Sequence, residues 1–103
     1  MILDARAVPA DAVIECDLCI VGAGPAGITI AREMLGGPVR VVLLESGSLA
    51  PDPETQSLAA GAVVGQPYFD LAETRTRCFG GTSIRWTGEC RPLDAQDFDR
   101  RYW

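Results

Sequence analysis

Apolar residues gather in two dense runs, Cys16 or Asp17 to Val21 and Val39 to Glu45, on either side of a stretch rich in glycine, alanine and isoleucine. Short continuous apolar runs predict parallel strands covered on both faces. Between them, proline in a first helical turn gives up no intrahelical hydrogen bond, so a helix is predicted from Pro25 to about Leu35, ended by Gly36-Gly37-Pro38. Residues 1–15, which include Pro9, read as an irregular leader along the outside of the domain. After Ser46 the pattern breaks: Pro51, Pro53, Gly61, Gly65 and Pro67 punctuate a long connection with one short helix around Glu54 to Ala60. Connections of that length inside a domain are commonly functional. Near the C-terminus, Asp94 reads as the N-cap of a helix running toward Trp103, with Asp97 favourably placed in its first turn.

The turn between the first strand and the helix is Gly22-Ala23-Gly24-Pro25-Ala26-Gly27. A pyrophosphate must be approached by backbone N–H groups, and glycine is the residue that leaves them uncovered. Ala31, one helical turn past Gly27, keeps the helix close to the sheet. Glu45 ends the second strand 23 residues after Gly22, where a carboxylate can accept hydrogen bonds from ribose hydroxyls. Glycines alone would be weak evidence; set between strand and helix with the acidic partner at this distance, they point to a bound dinucleotide.

Composition narrows the chemistry. A chain of 103 residues fits at most one small domain, and a complete dinucleotide-binding domain needs more strands than it supplies, so it reads as the front of something larger. The net charge of −5 argues against a nucleic-acid partner. Every basic residue is arginine, which removes a Walker-type or Schiff-base lysine. There is no histidine, hence no imidazole base, histidyl metal ligand or histidine-linked cofactor. No basic segment leads into an apolar run at the N-terminus, and no stretch approaches the roughly 20 apolar residues of a membrane helix, so a cytoplasmic protein is expected.

A second segment, Arg75 to Gly88, contains Gly80-Gly81-Thr82-Ser83, which offers close backbone approach and two hydroxyls to a phosphate or a polar planar ring. Taken alone it also fits a tight turn with capping hydroxyls. Arg75 and Arg77 can neutralise phosphate or form solvated ion pairs, and Trp86 can stack on a planar ring or a sugar, with a core or interface aromatic as the plainer reading. Cys16-x-x-Cys19 straddles the first strand instead of opening a helix, and Cys78 and Cys90 lack partners for a tetrahedral site; all four are expected to be buried free thiols.

Together, Asp17 to Gly27, Leu44-Glu45-Ser46-Gly47, Arg77 to Ser83 with Trp86 and Gly88, and Cys90 to Asp94 with Asp97-Phe98 resemble the glucose-methanol-choline family of flavin-dependent oxidoreductases. The likeness covers most of residues 17–103 and is looser over 48–74. It implies an α/β fold: the N-terminal part of a Rossmann-like FAD/NAD(P)-binding domain over residues 16–103, a βαβ unit plus a long FAD-contacting segment, incomplete. It implies pyrophosphate contacts at Gly22, Gly24 and Gly27, a ribose contact at Glu45, and Gly80 to Ser83 beside the isoalloxazine. The implied cofactor-binding set is Gly22, Ala23, Gly24, Pro25, Ala26, Gly27, Glu45, Ser46, Arg77, Gly80, Gly81, Thr82 and Ser83.

Some members attach FAD to a histidine near the position of Arg85; without histidine, FAD is expected to be non-covalent. The implied reaction oxidises a CH–OH group of a small-molecule alcohol or sugar by hydride transfer to FAD, with the electron acceptor open. The family's base, a late histidine paired with histidine or asparagine, is not in this chain, so no catalytic residue is assigned. Two rivals stand beside this reading: the nucleotide-binding segment of an NAD-dependent dehydrogenase, and a non-catalytic truncated flavoprotein remnant.

Overall fold

Asp17 and Arg40 bring the two apolar runs into register. The Asp17 and Leu18 N–H groups both donate to the Arg40 carbonyl (2.9 and 3.2 Å), and the Arg40 N–H donates to Asp17 Oδ2 at 2.8 Å. Hydrogen bonds from the Arg40 guanidinium and N–H hold the Asp17 carboxyl below the usual carboxylate range. From this clamp run β1 (Leu18–Val21) and β2 (Val41–Leu44), parallel and paired from Leu18↔Val41 to Val21↔Leu44. They are joined by α1 (Pro25–Glu33), as the apolar pattern predicted. The computed structural model describes residues 1–100.

Both strands are shorter than predicted. Asp17 spends its hydrogen bonds on Arg40, and Glu45 turns its carboxylate back toward the glycine turn instead of extending the ladder. The helix stops before Leu35 because the Leu35 N–H bonds Arg32 O, three residues back, and Gly36 takes a φ of 78°. In the long connection, α2 (Pro53–Ser57) is shorter than the predicted Glu54–Ala60 helix. Asp52 caps it by accepting the Thr55 N–H, and Ala59 and Ala60 follow with tighter three-residue bonds. A further helix, α3 (Leu71–Thr74), follows Asp70, whose carboxylate accepts the Ala72 N–H. The described residues are thus mixed α/β, with two parallel strands.

Asp94 opens a 3-10 turn, Ala95–Phe98, in place of the predicted helix, with Asp97 Oδ2 accepting the Asp94 N–H at 2.8 Å. The end of that predicted helix, residues 101–103, lies outside the described residues. The leader is exposed apart from Val8, with one 3-10 turn at Ala5–Ala7.

Burial corrects three expectations. The strands are not covered on both faces: Ile20 is buried under α1, but Val21 is 83% exposed and Leu44 also faces outward. Trp86 is exposed, so of the core and interface roles expected for it the core one falls. The four cysteines are free thiols, yet only Cys78 is buried; Cys16 is half-buried and Cys19 and Cys90 are exposed. Among the described residues the buried set is Ile20, Ala23, Thr76 and Cys78. It lies where the glycine turn meets the chain after α3, so what core there is supports the candidate site. The Cα radius of gyration of 17.1 Å exceeds the roughly 13 Å of a compact chain of this length, consistent with so little burial. Among the described residues no helix is long and apolar enough to cross a membrane.

Candidate functional site

The site is built at the carboxyl ends of β1 and β2, where open parallel sheets bind their ligands. Gly22 extends the ladder by donating to Leu44 O (2.7 Å) and then turns the chain with a φ of 101°, a value that favours glycine. Ala23 follows, fully buried. Its N–H donates to Glu45 Oε2 at 2.7 Å, and its carbonyl accepts the Gly80 N–H at 2.7 Å. One residue thus ties the glycine turn both to β2 and to the Gly-Gly turn.

The three glycines play different parts. A Cβ on Gly24 would meet nothing within 4 Å, so the space in front of this residue is an open cradle. A Cβ on Gly27 would fall well inside 3.0 Å of the Gly22 carbonyl oxygen, so Gly27 is there to let α1 close on the turn. Gly24 is the N-cap of α1, Pro25 has no N–H, and the first-turn N–H groups of Ala26 and Gly27 lie beyond the reach of any intrahelical carbonyl. There is no acidic residue in that turn to compete for an anion. We expect Gly24→Ala to change unfolding stability by no more than about 0.5 kcal/mol while weakening dinucleotide binding, read by thermal unfolding and titration calorimetry.

Glu45 is more occupied than a ribose contact requires. Oε2 accepts the Ala23 N–H, and Oε1 accepts the Gly47 N–H (2.9 Å) and the Ser46 hydroxyl (3.3 Å). Burial raises its pKa, but the donors from Gly47, Ala23 and Ser46 outweigh that and hold the carboxyl below its ordinary value. Oε1 already accepts two donors, so Oε2 is the oxygen that retains a lone-pair direction for a further donor.

The second glycine segment folds onto the first. The Phe79 N–H donates to Ser48 O (2.9 Å), and a Cβ on Gly81 would meet Gly24 Cα at 3.3 Å. Gly80, with a φ of 94°, starts a 3-10 turn over Gly81–Arg85. Its hydroxyls are used internally: Thr82 Oγ1 accepts the Thr76 N–H (3.1 Å), and Ser83 donates to Gly80 O (2.6 Å). Arg77 donates through Nη2 to Ser46 Oγ at 2.9 Å, while its buried Nε and the buried Thr76 Oγ1 have no hydrogen-bond partner. Arg75 is exposed.

Where α1 begins against this turn, a shallow cleft of about 360 Å³ is lined by Pro25, Thr82, Ser83, Arg85 and Trp86. That is at the small end for ligand pockets.

The predicted site residues therefore come together. Gly24, Ala26 and Gly27 offer backbone to the open side; Ala23, Glu45, Thr82 and Ser83 are largely spent on holding the site's shape. Sequence reasoning missed Gln56, and it named Gly47 in the strand-end motif without giving it a part in the site. Gln56 carries no motif, whereas Gly47 follows the acidic strand end directly, and a Cβ on it would meet Cys78 Cα at 2.6 Å. Comparison with protein-family models, curated proteins and solved structures returns no match to this chain.

Proposed function

We propose that this chain is the front of a Rossmann-like domain that binds FAD non-covalently, in an oxidoreductase of the glucose-methanol-choline type acting on the CH–OH group of an alcohol or sugar. The observation that carries the reading is the junction of the two glycine segments, through the hydrogen bond from Gly80 to Ala23 and the contact of Gly81 with Gly24. A βαβ unit that held any dinucleotide would need only the first segment. A second glycine turn seated beside the helix N-terminus, with a shallow open cleft reaching Trp86, suits a cofactor whose planar ring system lies beyond its pyrophosphate.

The residues fit such a group. The open space before Gly24 admits backbone approach, and the Ala26 and Gly27 N–H groups suit the pyrophosphate oxygens. Glu45 and Ser46 stand at the strand end on the ribose side, and Arg77 adds positive charge there. Thr82 and Ser83, which follow Gly80 and Gly81, line the cleft beside Pro25 and Trp86. FAD, when bound, supplies the acceptor for a substrate hydride. The chain's own part is to bind and orient the cofactor; no proton-transfer residue is assigned within it.

The test is twofold. The protein purified in its natural full length is expected to release flavin on denaturation, seen in its absorbance spectrum. FAD at about 100 times its Kd is expected to add about 2.7 kcal/mol of stability. Stabilisation by NAD and not by FAD would transfer the assignment to a nicotinamide-dependent dehydrogenase; stabilisation by neither would leave a non-catalytic remnant.

A further inference from the structure

Gln56 belongs to neither glycine segment, yet its carboxamide holds three backbone groups far along the chain. Nε2 donates to Ala72 O at 2.7 Å and to Arg75 O at 2.6 Å, and Oε1 accepts the Arg77 N–H at 3.1 Å. Both ends of the amide are therefore engaged, and in one orientation only, since carbonyls face its NH2 and an N–H faces its oxygen. Gln56 is itself held by α2, whose N-cap Asp52 lies four residues past Ser48. The segment it holds is the one that delivers Arg77 Nη2 to Ser46 and then Phe79 to Ser48 and Gly80 to Ala23.

We propose that Gln56 is a positioning residue for the dinucleotide site: by fixing the backbone from Ala72 to Arg77 it sets the Arg77 guanidinium against the end of β2, and so controls FAD affinity through Arg77. This rests on the FAD reading above. Ala72 lies in α3 and Arg75 to Arg77 follow it outside any strand, so Gln56 satisfies an orphan carbonyl of the short helix together with a carbonyl and an N–H that no ladder pairs. When these bonds go, the Arg77 backbone is left to its neighbours, the Thr76 N–H on Thr82 Oγ1 and the Phe79 N–H on Ser48 O, and its guanidinium keeps a single bond, to the exposed Ser46.

The experiment is a double-mutant cycle on the full-length protein, with FAD affinity measured by flavin fluorescence for wild type, Gln56→Glu, Arg77→Ala and the pair. Gln56→Glu keeps the shape but turns an acceptor toward the Ala72 and Arg75 carbonyls. The expected result is a loss of about tenfold or more in Gln56→Glu, with the double variant no weaker than Arg77→Ala alone. Amide hydrogen exchange should quicken at Arg77 and Gly80 while Cys19 and Ile20 in β1 stay protected. Should Gln56→Glu fail to fold by that measure, Gln56→Met, which removes the same three bonds without adding charge, is read in its place. Wild-type affinity in the variant, or losses that multiply in the double variant, would overturn the proposal and leave the FAD reading standing. No FAD binding by the wild type would overturn both.

Discussion

Gly27→Ala is expected to destabilise the protein by about 3 kcal/mol or more, lowering the thermal midpoint by more than about 10 °C. Helix propensity alone argues the other way, since alanine in place of glycine favours a helix by about 1 kcal/mol. Sterics win because the added methyl would meet a backbone carbonyl and not the end of a flexible side chain. The Gly22 carbonyl cannot give way: Gly22 N–H is bonded to Leu44 O, and the next residue is held by Glu45 and Gly80. The helix must retreat instead, and Ile20, whose Cγ2 would lie 3.3 Å from the new methyl, loses its cover. Thermal or urea unfolding of Gly27→Ala beside Gly24→Ala checks this. Equal stability of the two variants would mean that α1 does not seat closely on the turn.

Glu45→Gln is expected to cost about 1–2 kcal/mol at neutral pH and to weaken dinucleotide binding. Glutamine has one acceptor oxygen where glutamate has two, so its NH2 must confront either the Ala23 or the Gly47 N–H. The effect carries a pH signature. Because the folded Glu45 pKa lies below the ordinary 4.5, its contribution is fully present above that value and is lost as pH falls through the folded pKa. The stability gap between wild type and Glu45→Gln should therefore be constant at neutral pH and close in acid. Asp17 and Asp52 also have lowered pKa values and titrate in that region, so the difference between the two unfolding curves is the quantity to read. A gap that persists unchanged to the lowest pH would assign the effect to shape instead of charge.

How far the sequence carried these arguments differs residue by residue. The βαβ order was legible because each part is local: apolar runs make strands, Pro25 suits a first helical turn, and Gly22 permits the positive φ of the turn. The element ends were less so, because Asp17 and Glu45 left the strands for partners more than 20 residues away. α3 escaped notice because four residues carry no periodicity, and only Asp70 marks its start. Thr82 and Ser83 were visible as hydroxyls suited to a ligand, while their use on Thr76 and Gly80 depends on a turn whose path the residue types do not specify.

By itself, then, the sequence determined the strand–turn–helix–strand unit, the acidic residue at the end of β2, and the absence of histidine and lysine, since these follow from neighbours in the chain and from composition. Tertiary structure alone decided that Gly24 faces open space and Gly27 faces the Gly22 carbonyl, that Glu45 holds the glycine turn, and that Gln56 sets the path to Arg77. The reason is geometric: glycines of one motif are identical in sequence and differ in backbone angle and in what lies across from the missing Cβ. A carboxylate or an amide, likewise, takes its role from the groups that the folded chain brings within hydrogen-bonding reach of it.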